Sequence, residues 1–217
     1  MTSAPAFATV ILDVDSTVSG IEGIDWLARL RGDVVAHKVA SLTNEAMRGA
    51  IRLDEVYGQR LAAIRPRRHE VDALAAAYVE AIAPNCVETL ARFRRAGVRV
   101  VLVSAGLRHA LIRLGLQLGV ELNDLHAVDI RFDAGGAYTG YDARSPLTTA
   151  NGKRSLIAAL SLDRPVLMAG DGATDAAARD VVDCFVAYTG FVEREAVVKL
   201  ASACVRSFDE LAALVLP

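Results

Sequence analysis

The chain of 217 residues contains three cysteines, one tryptophan and four histidines, and each scarcity excludes something. Cys86, Cys184 and Cys204 are odd in number and form no C-x-x-C pair. They build neither a disulfide framework nor a zinc site, and the expectation is free thiols packed as small hydrophobes in a reducing compartment. His37, His69, His109 and His126 are scattered and match no metal-ligand spacing. No apolar run approaches about 18 residues, so no membrane span is expected. MTSAPAFATV places no basic residue ahead of an apolar stretch, so no secretory signal is expected and the cytoplasm is the expected setting. Neither sign of charge dominates, with 24 Lys and Arg against 26 Asp and Glu. Binding to a nucleic-acid duplex needs a basic surface that this balance does not supply.

What remains is a globular composition, 53% hydrophobic and 23% charged, at a length for one large domain or one domain with an insertion. Strand-like and helix-like patterns alternate along it. FATVIL (7–12), VRVVLVS (98–104), RPVLMA (164–169) and DCFVAY (183–188) read as buried strands, with CVRSF as a short fifth. Helical spacing falls after Pro84, over 107–118, 153–160, 175–182 and 193–201. Strand and helix in alternation predict a doubly wound, Rossmann-like α/β core around a parallel sheet. Two segments interrupt the rhythm. Residues 20–80 carry helical periodicity without a strand, which predicts a small helical cap inserted after the first strand. The remaining 1–19 and 81–217 would form the catalytic core. VDIRFDAGGAYTGYD (128–142) alternates around Gly135-Gly136 and predicts a β-hairpin.

The informative residues sit where strands end. In an open parallel sheet, ligands bind beyond the carboxyl ends of the strands. The first strand runs into Asp13 and Asp15, the second into Ser104-Ala105-Gly106, and the third into GDGATD with Asp171 and Asp175. NGK sets Lys153 at a helix start. Singly, each has a dull explanation: a turn, a cap, a solvated lysine. Four in order at one sheet edge point instead to chemistry. Clustered carboxylates repel in a partly dry crevice unless a cation sits among them. A hard divalent ion such as Mg2+ suits all-oxygen ligation by Asp13, Asp171 and the main-chain carbonyl of Asp15. With Lys153 added, the crevice attracts a phosphate, to which Ser104 and loop amides can donate. Asp13 then serves as nucleophile and Asp15, projecting to the same side of an extended chain, as general acid and base.

DVDST, SAG, GK and GDGATD together resemble the haloacid dehalogenase superfamily of phosphatases. From STVSGIEGIDWLA through AMRGAIRLDEVYGQRLAAIRP, AYTGYD and GDGATDAAA to about residue 208, the chain is similar more narrowly to the phosphoserine phosphatase family. The resemblance implies an aspartyl phosphate on Asp13, acid and base work by Asp15, a helical cap, Mg2+, and hydrolysis of O-phosphoserine, the last step of serine biosynthesis. It also implies that Glu22 meets the substrate ammonium and Arg60 its carboxylate. Met47 would line the pocket, Ala105 and Gly106 would belong to the phosphate loop, and Thr174 would reach phosphate or substrate, with Asp175 behind them. Four places depart from the family: Ala105 stands for a glycine, Arg48 for a glycine and Phe191 for an asparagine, and SGIEG replaces a more charged lead-in to Glu22. A methyl at 105 crowds the phosphate loop, and Arg48 adds an anion contact or narrows the entrance. The expected partner is a small phosphomonoester, with no nucleic acid and no membrane, and the protein itself is expected as a monomer or homodimer. Two alternatives accompany this reading. One is a different phosphomonoester, or transfer to an acceptor alcohol such as homoserine. The other is a non-enzymatic phospho-acceptor module, against which motif order, length and the cap insertion speak. Trp26 is expected in the cap core, and RPRRH (65–69) as a solvated turn.

Overall fold

The computed structural model describes residues 4–48, 50–51 and 53–217, with side chains for all of these except 47 and 53–55. Six strands form one parallel sheet: β1 (Thr9–Leu12), β2 (Arg99–Leu107), β3 (Leu125–Val128), β6 (Val166–Gly170), β7 (Cys184–Tyr188) and β8 (Ala203–Val205). Their order is β3-β2-β1-β6-β7-β8. Helices flank the sheet, so the fold is α/β and Rossmann-like. β1 lies at the centre, with Val10 opposite Val100 on one side and Leu167 on the other. Val10, Ile11, Leu12, Val101, Leu102 and Leu167 are completely buried, each contributing about 1.5–3 kcal/mol by leaving water. This explains their unbroken apolar runs: both faces of these strands are covered.

Four helices intervene between β1 and β2: α1 (Gly23–Arg29), α2 (Asp33–Met47), α3 (Leu53–Ile64) and α4 (Arg68–Glu80). α1 packs on α2 and α4, and α2 on α3. The closest packing of α4 is against α6 (Arg108–Leu118), the helix after β2. Return from the helical segment is marked by two backbone bonds, Gly20 N–H to the Ala81 carbonyl and Ala83 N–H to the Val18 carbonyl, both 2.9 Å. The hairpin is β4 (Ile130–Phe132) with β5 (Tyr138–Tyr141), turning at Gly136 with φ of +79°, a left-handed value suited to glycine.

Several sequence expectations are corrected. The helix expected from Pro84 is α5 (Cys86–Arg95), and the residue before it, Asn85, is left-handed. Asn85 caps no amide; its side chain instead reaches Asp209 at 2.6 Å. The helix expected over 175–182 is a single turn, α8 (Ala173–Ala176), and that over 193–201 is α9 (Glu195–Val198). β3 escaped notice because LHAV is too short for its periodicity to stand out beside the hairpin. The terminal helix α10 (Phe208–Val215) follows a true cap, Ser207 Oγ accepting from Glu210 N–H at 3.2 Å. RPRRH joins α3 to α4 with Arg65, Arg67, Arg68 and His69 exposed, and it also meets the hairpin. Arg65 and Arg68 lie over Tyr138 and Phe132 of the hairpin, a cation–π arrangement, and Arg68 N–H bonds the Gly136 carbonyl at 2.9 Å. Among the thiols Cys86 is buried, whereas Cys204 is exposed rather than packed.

Candidate active site

The centre of the site is where β1 meets β6, at the point where the chain reverses its direction of travel across the sheet. Asp13 follows β1 directly, its N–H bonded to the Ala169 carbonyl of β6 at 3.0 Å. Three residues on, the backbone turns sharply: Ser16 has φ of +54°, a strained value for a non-glycine residue. Its hydroxyl donates to Glu22 at 2.8 Å, which ties the catalytic loop to the start of α1.

Asp13, Asp171 and Asp175 are buried and each offers a carboxylate oxygen within 4.8 Å of the others. Lys153, at the start of α7 (Gly152–Ala159), bridges two of them, 2.5 Å from Asp13 and 2.6 Å from Asp175. Burial alone would lower the lysine pKa, but the charges of Asp13 and Asp175 outweigh it and hold the ammonium well above its ordinary range. Burial raises Asp13 against the pull of Lys153. Asp175 is raised to about 6, by burial first and by the Asp13 charge second. Gly170 makes room for it, since a Cβ there would stand 2.3 Å from the Asp175 carboxyl carbon. Asp171 meets a cation absent from the sequence reasoning, the guanidinium of Arg194, which also lies 3.9 Å from Glu22. The donor set of the triad is oxygen only, its net charge is negative even with Lys153 present, and hard divalent ions favour such a set. The residues therefore fit a magnesium-sized ion.

Asp15 contributes no side chain to this triad. Its Oδ1 accepts from the Tyr78 phenol at 2.5 Å and from Gly23 N–H at 3.4 Å. Burial, then the Glu22 and Asp13 charges, push its pKa well above the carboxylate range despite those two donors. Ser104 is buried and accepts from Gly106 N–H at 2.9 Å. Ala105 is half-buried and its carbonyl accepts from Tyr57 of α3 at 2.8 Å. Thr174 is buried in α8.

The helical segment brings Glu22 and Arg60 toward the same cluster, Glu22 through Arg194 and Arg60 beside Glu22 and Asp15. Arg60 is 3% exposed, donates through Nη1 to Thr43 Oγ1 at 3.0 Å, and lies 5.5 Å over the Tyr57 ring. Thr43 in turn donates to Asp25 at 2.6 Å. Arg60 Nε is buried without a partner among the described residues, so part of the fork faces inward unsatisfied. Burial raises the Glu22 pKa, and the Ser16 hydroxyl opposes it. Met47 ends α2, but its side chain lies outside the described residues. Four participants were missed in the sequence: Arg194, Tyr78, Tyr57 and Thr43. Arg194 stands in FVER beside the already unusual Phe191, and the two tyrosines looked like ordinary apolar positions of helices.

A family model of haloacid dehalogenase-like hydrolases matches residues 7–179. Phosphoserine phosphatases of Bos taurus and Homo sapiens are each 34% identical over 205 residues, covering 93% of this chain and 90% of theirs. Among solved structures, a phosphoserine phosphohydrolase-like protein of Francisella tularensis aligns with a TM-score of 0.84 at 22% identity, covering 95% of this chain and 98% of that one, which shows the shared fold. Matched over most of its length to both, the chain belongs to the haloacid dehalogenase-like hydrolases and, within them, to the phosphoserine phosphatase family.

Proposed function

We propose that this phosphoric monoester hydrolase cleaves O-phosphoserine to serine and phosphate, with Asp13 as nucleophile and Mg2+ as its ion. The observation that carries the reading is the adjacency of two charge patterns. One is the Asp13–Lys153–Asp175 cluster with Asp171; the other is the half-buried acid Glu22 with the buried, partly unsatisfied guanidinium of Arg60. The first suits a phosphate, and the second suits the ammonium and carboxylate of an amino acid.

In this reading an Asp13 oxygen attacks phosphorus while the bond from phosphorus to the serine oxygen breaks, leaving an aspartyl phosphate. Asp15, whose pKa burial and the Glu22 and Asp13 charges raise, gives a proton to the departing serine oxygen. It then takes a proton from water as that water attacks phosphorus, which releases phosphate and restores Asp13. Lys153 holds Asp13 in place and offsets its charge. Ser104 and the amides around Gly106 donate to phosphate oxygens. Magnesium, held by Asp13, Asp171 and the Asp15 carbonyl, would supply charge neutralisation of the phosphate. Residues 20–80 act as the cap over the core, with α4, fastened to α6, on the fixed side. A cytoplasmic setting belongs to the same proposal, supported by three unpaired thiols. No helix among the described residues is long and apolar enough to cross a membrane.

The test is phosphate release from phosphoserine by wild type and Asp13→Asn, with magnesium or chelator, and with homoserine added as acceptor. Hydrolysis that needs both Asp13 and the ion supports the reading; no release by wild type, or phosphate passing to the alcohol instead of water, overturns it.

A further inference from the structure

The general acid of a phosphatase has two oxygens, and only one can carry the proton to the leaving group. In this chain both donors described at the Asp15 carboxylate converge on Oδ1, the Tyr78 phenol at 2.5 Å and Gly23 N–H at 3.4 Å. An oxygen that accepts two hydrogen bonds is occupied, which leaves Oδ2 as the oxygen free to face a leaving group. From this geometry we propose that Tyr78 is a positioning residue for Asp15, fixing its carboxyl so that Oδ2 presents the proton to the leaving oxygen. The proposal rests on the phosphomonoesterase reading above.

The surroundings are shaped for this contact. Tyr78 is completely buried. A Cβ on Gly23 would lie 2.0 Å from the phenol oxygen, so this glycine leaves the space the hydroxyl occupies and nothing larger fits there. Tyr78 is also anchored to the stretch that bears Asp15: its carbonyl accepts from Ser19 Oγ at 3.1 Å. α4, its helix, packs most extensively on α6, so the phenol is carried by an element fastened to the sheet's own helices. A single buried tyrosine could be only packing, yet packing does not require the hydroxyl to meet a carboxylate. Burying a phenol against an acid is costly unless the bond between them is made.

Leaving-group dependence separates positioning from mere support. Tyr78→Phe deletes one oxygen and keeps the ring. For phosphoserine, whose alkoxide must be protonated to depart, kcat/KM is expected to fall roughly 10- to 100-fold, part of the 10²–10⁴ that a general acid provides. For p-nitrophenyl phosphate, whose phenolate leaves unprotonated, kcat/KM is expected to stay within about threefold of wild type, with phenyl phosphate in between. KM for phosphoserine should change less than kcat, because Tyr78 touches no substrate atom. In an Asp15→Asn background the same substitution should cause no further loss. Equal losses on all three esters, no loss on any, or a full additional loss beside Asp15→Asn would each overturn the proposal. A wild type inactive on phosphoserine but active on aryl phosphates would sink the substrate reading alone, and the phenyl against p-nitrophenyl comparison would still decide the role of Tyr78.

Discussion

Arg60→Ala is the sharpest test of substrate recognition. The side chain is 3% exposed, so its charge is poorly hydrated, and burial lowers its pKa even with Tyr57, Asp25 and Glu22 nearby. One nitrogen is bound by Thr43 and Nε has no partner among the described residues. A guanidinium kept dry and partly unsatisfied is poised for a carboxylate. A hydrogen bond to a charged group contributes about 1.5–3 kcal/mol, and a two-pronged contact in a dry pocket about 3–4 kcal/mol. At about 1.4 kcal/mol per tenfold, kcat/KM for phosphoserine should fall roughly 10²–10³-fold. p-Nitrophenyl phosphate has no carboxylate to lose and should fall less than about threefold, because Asp13, Lys153 and Asp171 are untouched. Arg60→Lys should be intermediate, keeping the charge without the fork. The assay is initial-rate kinetics on both esters, with a melting curve to check folding. Equal loss on the two substrates would refute the reasoning, since it would mean that Arg60 supports the site as a whole.

Lys153→Met should leave Asp13 and Asp175 buried and facing each other without their shared cation. Breaking a buried pair in this way costs about 3–5 kcal/mol, visible as a large drop in melting temperature together with loss of hydrolysis of every ester; an unchanged melt would contradict the bridge. Gly170→Ala should displace Asp175, because the new Cβ would stand 2.3 Å from its carboxyl carbon; activity should fall at least about tenfold with a stability loss of about 1–3 kcal/mol, and a fully active variant would refute the close approach. In chelator, the raised pKa of Asp175, about 6 against 3.8, makes the folded state bind the proton more tightly than the unfolded one. That stabilisation is full below about pH 4, is lost as pH rises through about 6, and is worth about 3 kcal/mol. Surface carboxylates such as Asp183, lowered by the Val166 N–H and Arg164, act in the opposite direction. The informative quantity is therefore the pH slope of wild type minus that of Asp175→Asn, which should be negative between about pH 4 and 6. The melting gain from magnesium should likewise be greater at about pH 7 than at about pH 5, because protons compete with the ion for Asp13, whose pKa burial also raises; a gain independent of pH would contradict the competition.

Much of this was legible in the chain itself, for a physical reason. Strands buried on both faces must be apolar throughout, so β1, β2, β6 and β7 announced themselves, and charged residues just past such runs had to lie at one edge of a parallel sheet. Asp13, Asp15, Lys153 and Asp171 were readable because local order along the chain dictates where they emerge. The segment with helical spacing over 20–80 was readable from its period alone, though not the fastening of α4 to α6. Elements of three or four residues were not readable, β3 and α8 among them, because too few side chains repeat to define a period. Pairings between residues distant in sequence were beyond reach for a different reason. Tyr78 meets Asp15 across 63 positions, Tyr57 meets Ala105 across 48, and Arg194 meets Asp171 across 23. Each of these residues is compatible with an ordinary helix or loop, and only the packing of α3, α4 and the loop before α9 around the sheet edge decides what its polar end touches. Sequence alone thus determined the candidate reactive groups and the edge they share; tertiary structure decided which neutral and cationic neighbours hold them, since burial turns a contact distant along the chain into a strong one.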